Sequence, residues 1–334
     1  MAIDVTMFDA MQPELLRFYE QAEARLSQLI GQAGVSAFQQ RRYELLLQQI
    51  DSTIRALEVK QQGWLAKNMP KSYRAGYALT NEAWKMPLLP PMTLMHRHSI
   101  EALVARTMVE TSQALGSVAP FARRVWIDTQ QVLIRETQLA GLIAEGTVEG
   151  LGADEMTRRI RATLKDAVSS RLKGYVSDDL RARLERTARG EVITIGTRSG
   201  KLMNYKLSNY AKLVARTAPR FAATEGALQR NLEVGGDLMQ VSVHSGACPM
   251  CVPIQGKLYS ITGRTPGFPI LTDDVKPPIH PNCGHVMVGV STDVLEERGE
   301  LAALQQISMS PEPVMDIAHL QERIGATQAM GIVT

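Results

Sequence analysis

A chain of 334 residues is long enough for two domains, or for one domain with a helical extension, and either can bury a core without a metal or a disulfide. Hydrophobic residues at 45% and charged residues at 21% describe an ordinary folded protein, and an aromatic share of 5% points to helices rather than a β-sandwich. The net charge of +3 is too small to imply a chain-wide affinity for nucleic acid or acidic membranes, so the distribution of charge matters more than its sum.

The opening MAIDVTMFDAMQPELL has two Asp, no basic cluster and no long apolar run, so no secretory signal is expected. Elsewhere charges break the apolar stretches well short of the ~20 residues a membrane helix needs, and synthesis in a cytoplasm is expected. Leu15, Leu16, Phe18, Tyr19, Ala22, Leu26 and Leu29 recur at helical spacing and predict a helix from Pro13 to about Ile30, which Gly31 and Gly34 then interrupt. A second helix from Phe38 to Leu65 carries Tyr43, Leu46, Leu47, Ile50, Ile54 and Leu57 on one side, so the pair reads as an αα-hairpin. A shorter helix restarts after Pro70, and MPLLPPM (86–92) follows as a stiff connector and domain boundary.

Helices are predicted at 93–115, 119–144, 153–165 and 167–188, the third starting near Asp154 and burying Ile160 and Leu164. EVITIGTRSGKLMNYKL then reads as a β-hairpin, with Val192, Ile193 and Ile195 leading into a polar turn and Leu202 and Tyr205 returning. A long helix is predicted over 207–233, with Ser208 as its cap, Gly235 as its stop and Pro219 as a source of a kink. DLMQVSVH is a strand ending where the cysteines begin, and LYSI (258–261) and VMVGV (286–290) can supply two more. A short helix near 293–306, a break at SPEP (310–313) and an amphipathic piece at 314–324 read as a loosely attached tail. The resulting fold class is α+β, mostly α, divided as an N-terminal helical arm (1–90), a central helical region (91–190), an α+β metal-binding domain (191–292) and a C-terminal tail (293–334).

All three cysteines lie between 248 and 283, which argues against a disulfide framework and for thiols acting together on a metal. HSGACPMC (244–251) is followed, after 28 residues, by HPNCGH (280–285). Cys248 and Cys251 have the spacing with which two thiolates grip one ion, and His280 and Cys283 repeat it. Three sulfurs and one imidazole would close a tetrahedral Zn²⁺ shell and leave no position for water, which defines a structural site rather than a catalytic one. Spacing leaves the fourth ligand open between His280 and His285, with His244 a weaker third candidate. A redox CxxC is disfavoured because Pro249-Met250 followed by Val252-Pro253 does not start the helix such a thiolate needs. The Pro- and Gly-rich stretch between the two halves would become a closed loop if a metal tied its ends.

YAKLVART (210–217), DLMQVSVHSGACPMCVPIQGKLYSITG (237–263) and PPIHPNCGH (277–285) together resemble the minor capsid and head morphogenesis proteins of tailed bacteriophages, more narrowly the second minor capsid protein of Gram-positive phages. The resemblance covers about residues 140–292, and PKSYRAGYAL fits its general layout. The family pattern runs HPNCR followed by Cys or His; here Gly284 stands where Arg is common, and His285 where Cys and His alternate. That alternation implies His285 as the fourth ligand. The resemblance further implies a structural virion component, made in the host bacterial cytoplasm and built into the phage head near the portal or inner capsid. Its partners would be the portal protein and the major capsid or scaffold protein, with packaged double-stranded DNA as a further contact during packaging or ejection. No membrane partner and no reaction are implied.

From Arg158 to Lys201 the chain holds twelve Lys or Arg against five Asp or Glu, so the rest is net negative. Arg158, Arg159, Arg161, Lys165, Arg171, Lys173, Arg181 and Arg183 are the candidate phosphate contacts, although solvated helix faces would give the same count. His96 and His98 in MHRH read as exposed residues at a helix start, Asp273-Asp274 as surface turn residues, and Arg216 and Thr217 as ties between the long helix and the β-hairpin. No P-loop, HExxH, GxSxG or Rossmann glycine pattern stands in the right frame, so enzyme readings lose support, and a zinc-dependent hydrolase or nuclease delivered with phage DNA is kept as the competing reading.

Overall fold

The computed structural model describes residues 6–35, 40–121, 186, 191–196, 202–280 and 282–331, and these form a mostly helical protein with two small antiparallel sheets. The helices expected at 153–165 and 167–188, most of that at 119–144, and all eight candidate phosphate contacts lie outside the described residues. The chain forms two compact units, one of Met1–Pro13, Trp64–Thr107 and Lys212–Thr334, the other of Glu14–Gly63 and Met108–Ala211. Among the described residues no helix is long and apolar enough to cross a membrane.

A single turn, α1 (Thr6–Asp9), belongs to the first unit; in the second, apolar spacing produces most of α2 (Gln12–Val35) and the first half of α3 (Gln40–Ala83). Leu15, Tyr19, Ala22, Leu26 and Leu29 of α2 are buried, as are Leu46, Ile50, Ile54 and Leu57 of α3. The Tyr19 hydroxyl bonds Gln61 where both are fully buried, as an αα-hairpin requires. Gly31 and Gly34 do not end α2. An interior glycine costs a helix only about 1 kcal/mol, which a continuous buried stripe offsets. The hairpin appears as β1 (Ile193–Gly196) paired with β2 (Leu202–Tyr205), Ile193 opposite Tyr205. It leads directly into α5 (Leu207–Glu233). Ser208 lies inside this helix's first turn instead of capping it, and its main-chain N–H donates to the Glu23 carboxylate at 2.9 Å. The acidic group thus does the capping, where the helix dipole favours negative charge.

The first unit is built on the crossing of α3 and α5. A Cβ on Gly76 would lie 1.8 Å from the Ala223 carbonyl oxygen, and one on Gly226 would lie 2.0 Å from that of Tyr73, so the two backbones touch through reciprocal glycines. α3 runs unbroken through Pro70, where a restart was expected. Trp64, Leu65, Met69, Tyr73 and Tyr77 are all buried on either side of the proline, and that packing outweighs the ~3 kcal/mol it costs a helix. α4 (Leu94–Gly116) brings His96 into the interior at 1% exposure, with Nε2 3.1 Å from Glu233 and Nδ1 3.4 Å from the Tyr73 hydroxyl. His98 is exposed as expected, but His96 is not. Its ring meets Tyr77 edge-on, and Tyr77 also donates to Glu233 at 2.6 Å.

Against α5 lies a three-stranded sheet in the order β4 (Leu258–Ser260), β3 (Leu238–Val241), β5 (Met287–Val290), antiparallel throughout. Ala227 of the helix packs with Met239, Val241, Tyr259 and Met287, and Ala223 with Val286 and Val288. Gly235, at φ 78°, ends α5 where expected, with the Gly236 N–H returning to the Asn231 carbonyl at 2.7 Å. The expected loose tail is instead a packed layer of α6 (Thr292–Glu297), α7 (Leu301–Met309) and α8 (Ile317–Gly331). Leu295, Leu304, Ile307, Val314 and Leu320 join Leu238, Val243, Leu258 and Val290 in one buried cluster. Each such side chain contributes about 1.5–3 kcal/mol on burial, more than enough to hold a segment that reads as weakly amphipathic.

Candidate metal centre

The antiparallel register explains why residues 32 positions apart converge. β3 pairs with β5 so that Val241 faces Met287, which brings the end of β3 and the start of β5 to the same end of the sheet. The pairing extends one step further, with Ser242 N–H donating to the Val286 carbonyl at 2.9 Å and Val286 N–H to the Ser242 hydroxyl at 3.1 Å. Cys248 and Cys251 follow β3; Cys283 and His285 precede β5. After Cys248 the chain turns tightly, with the Cys251 and Val252 N–H groups on the Cys248 carbonyl and those of Ile254 and Gln255 on the Cys251 carbonyl. A second turn, Cys283 N–H to His280 carbonyl at 3.1 Å, folds HPNC the same way.

Two overlapping groups of donor atoms result, Cys248 with Cys251 and His280, and Cys251 with Cys283 and His285, each within 4.8 Å throughout. His280 Nε2 stands 3.1 Å from the Cys248 sulfur and 3.0 Å from that of Cys251. The Cys251 and Cys283 sulfurs are 3.7 Å apart, and His285 Nδ1 is 3.9 Å from Cys283. Two sulfurs on one tetrahedral Zn²⁺ at about 2.3 Å would stand roughly 3.8 Å apart, and a sulfur and an imidazole nitrogen roughly 3.5 Å. The donor set therefore fits a thiophilic metal ion, with the His280 contacts slightly tighter than a bound ion would leave them. All five residues named from the sequence are in the cluster, and Cys251 alone belongs to both groups. Cys251, Cys283 and His285 are buried, and Cys248 and His280 are half-buried.

The protonation of the pair is polarised. Cys283 is pulled down, first by the hydrogen bond from Cys251 and then by those of His285, against the opposing effect of burial. Cys251 is pushed far up by the same hydrogen bond, by burial and by Cys248. Buried thiols sharing protons in this way are the groups a cation displaces protons from when it binds. His244 belongs to neither group. Its Nε2 lies 2.9 Å from the Ser242 hydroxyl, its ring packs edge-on against His285 at 4.5 Å, and burial lowers it to about 4, with His285 next in effect.

Two residues that sequence reading passed over hold the cluster in place. Arg220, at 1% exposure, donates from Nε to the Gly284 carbonyl at 2.9 Å, from one terminal nitrogen to the Arg216 carbonyl at 3.0 Å and from the other to Asp9 at 2.8 Å. Gln255, fully buried, faces His285 Nε2 with its Oε1 at 3.1 Å, and its NH₂ donates to the Val314 and Met315 carbonyls at 2.6 and 3.0 Å. The only advance signal for Arg220 is a cation set among the alanines of a helix face. Thr217 ties α5 to the HPNC turn and not to the β-hairpin, accepting the Asn282 N–H at 3.3 Å where Asn282 takes φ 69°. Gly284 stands beside Arg216, whose terminal nitrogen would lie 3.2 Å from a Cβ there. Asp273 and Asp274 are exposed.

No curated protein and no solved structure matches the chain. Residues 156–302 match the family model described as phage minor capsid protein 2, a span that contains α5, the three-stranded sheet and all five donors. Over that span, less than half of the chain, the protein is similar to phage minor capsid protein 2.

Proposed function

We propose that the protein is a structural component of the phage head, with a zinc ion on the Cys/His cluster as a staple of its fold and no reaction of its own. The family match carries this reading, since a minor capsid family implies a place in the virion and a role in head assembly. The donor chemistry supports the structural sense of the metal. Three Cys and two His stand in two overlapping groups of three, and a shell drawn from both would close with four N/S ligands, whereas catalytic zinc keeps one position for water. Zn²⁺ bound there would supply folding energy directly and fix the two turns on one end of the sheet. Contacts with the portal protein, with major capsid or scaffold protein, and with packaged DNA through the basic run at 158–201 belong to the same proposal.

Mass spectrometry of purified particles, with copy number counted per portal and zinc measured in the isolated chain, tests this. The expected result is a few copies per particle and one tightly held zinc per chain. Absence from particles, or a zinc site with three protein ligands and an exchangeable water, would replace it with the hydrolase or nuclease reading. If the basic run touches DNA, affinity should fall steeply between low and moderate salt.

A further inference from the structure

His285 has, at its second nitrogen, a partner that fixes the role of each ring nitrogen. The Gln255 NH₂ is engaged by two carbonyls, of Val314 and Met315, so the atom turned toward the centre is the carbonyl oxygen. The same oxygen accepts the main-chain N–H of His244 at 3.1 Å, which an NH₂ group could not do. An amide oxygen only accepts, so the nitrogen 3.1 Å from it, His285 Nε2, carries the hydrogen. In a neutral imidazole Nδ1 is then the lone-pair atom, and Nδ1 is the one beside Cys283. Val314 itself is fully buried and packs over Gly256, the residue after Gln255, where a Cβ would meet its methyls at 3.2 and 3.3 Å.

We propose that Gln255 is a positioning residue which orients His285 to bind the metal through Nδ1, making it the fourth ligand, and which couples the centre to the chain at Val314–Met315. This rests on the metal reading above. The coupled segment lies beyond the span matched by the family, so the centre staples more than the sheet it belongs to. Coupling of this kind is reciprocal: whatever loosens Val314–Met315 weakens metal binding, and loss of the metal loosens Val314–Met315.

The test uses the full zinc-loaded chain and four forms: wild type, Gln255→Leu, His285→Cys and the double variant. Zinc release to a chromophoric chelator is timed in each, and hydrogen exchange is followed at 313–320 in the wild type before and after zinc removal. Outer partners of metal ligands are typically worth about 10–100-fold in affinity, so Gln255→Leu should release zinc faster by that order. On the His285→Cys background the same substitution should change release less than about threefold, because a thiolate has no tautomer to direct. Exchange at 313–320 should accelerate about tenfold or more in wild type on zinc removal, a readout that needs no variant to fold. Equal effects of Gln255→Leu on both backgrounds, no effect on either, or unchanged exchange at 313–320 would each overturn the proposal. A wild-type chain that holds no zinc would instead remove the metal reading itself.

Discussion

The two ends of strand β3 are anchored in chemically opposite ways. At its start Asp237 accepts from the Ser260 hydroxyl at 2.5 Å, from the Thr262 N–H and hydroxyl at 2.9 and 2.6 Å, and from the Thr265 N–H and hydroxyl at 2.9 and 2.8 Å. Burial pushes this carboxyl up, but the hydroxyls and N–H groups more than offset that and hold it well below the usual carboxylate range. At the other end stand three thiols and two imidazoles drawn together in two overlapping groups. A carboxylate can be satisfied by donors that any loop supplies. Thiols are weak donors and weak acceptors, and packed together they leave their protons divided unevenly, as Cys251 and Cys283 do. One anchor is satisfied by protein donors; the other is a donor set that a metal ion would complete.

The contrast breaks most visibly at Cys251, the residue shared by both donor groups. Cys251→Ser should abolish stoichiometric zinc and destabilise the unit on the order of 5 kcal/mol, a fall of roughly 10 °C or more in melting temperature. Chelator-treated wild type should melt close to the variant. Scanning calorimetry of both, with zinc measured alongside, checks the pair of outcomes. An unchanged melting temperature in each would mean the thiol end is as self-sufficient as the carboxylate end.

Asp237→Asn attacks the other anchor. The new NH₂ group would face hydroxyls and N–H groups that need an acceptor, so a loss of about 2–4 kcal/mol is expected while zinc content stays at one per chain. The pH dependence follows from the sign of the shift. The unfolded chain takes up its proton near pH ~3.9 and the folded one only below that, so the contribution of Asp237 is fully present above this value and fades as pH falls toward the folded one. Wild type and Asp237→Asn should therefore differ by a constant amount from about pH 5 upward and converge only below about pH 4. Denaturant titrations across that range measure it, and a gap that closes already near neutral pH would show that the carboxylate is not what holds residues 260–265.

How much of this was legible beforehand depends on whether the signal is local. The long helix 207–233 matches its expected limits, because apolar spacing and a terminal glycine are read from neighbouring residues. The convergence of the Cys and His pairs was legible too, since their short spacings fold into tight turns, and the structure places the five in two overlapping groups that could hold a metal. The passage of α3 through Pro70 was not, as it depends on what Trp64, Met69, Tyr73 and Tyr77 meet elsewhere. The burial of His96 is of the same kind, its carboxylate partner Glu233 lying 137 positions away. The C-terminal helices were misread because their apolar residues are sparse individually and become a core only when added to Leu238, Leu258 and Val290. Gln255 carries no sequence signal at all, being one amide in a loop full of turn residues.

The smallest expected effect lies between the two anchors. Lys276, in the stretch that leads to His280, pairs with Glu225 of α5 at 2.8 Å, both side chains about a fifth exposed. If the loop's position is set at its ends, by Asp237 and by the Cys/His centre, this pair is an accessory, and Lys276→Met should cost less than about 1 kcal/mol and leave zinc release unchanged. The methionine keeps the aliphatic stem that covers the helix, so the substitution removes charge with little loss of packing. A double-mutant cycle with Glu225→Gln isolates the ion pair. A coupling above about 2 kcal/mol, or faster zinc release, would make the middle of the loop a third anchor and end the two-point description of β3.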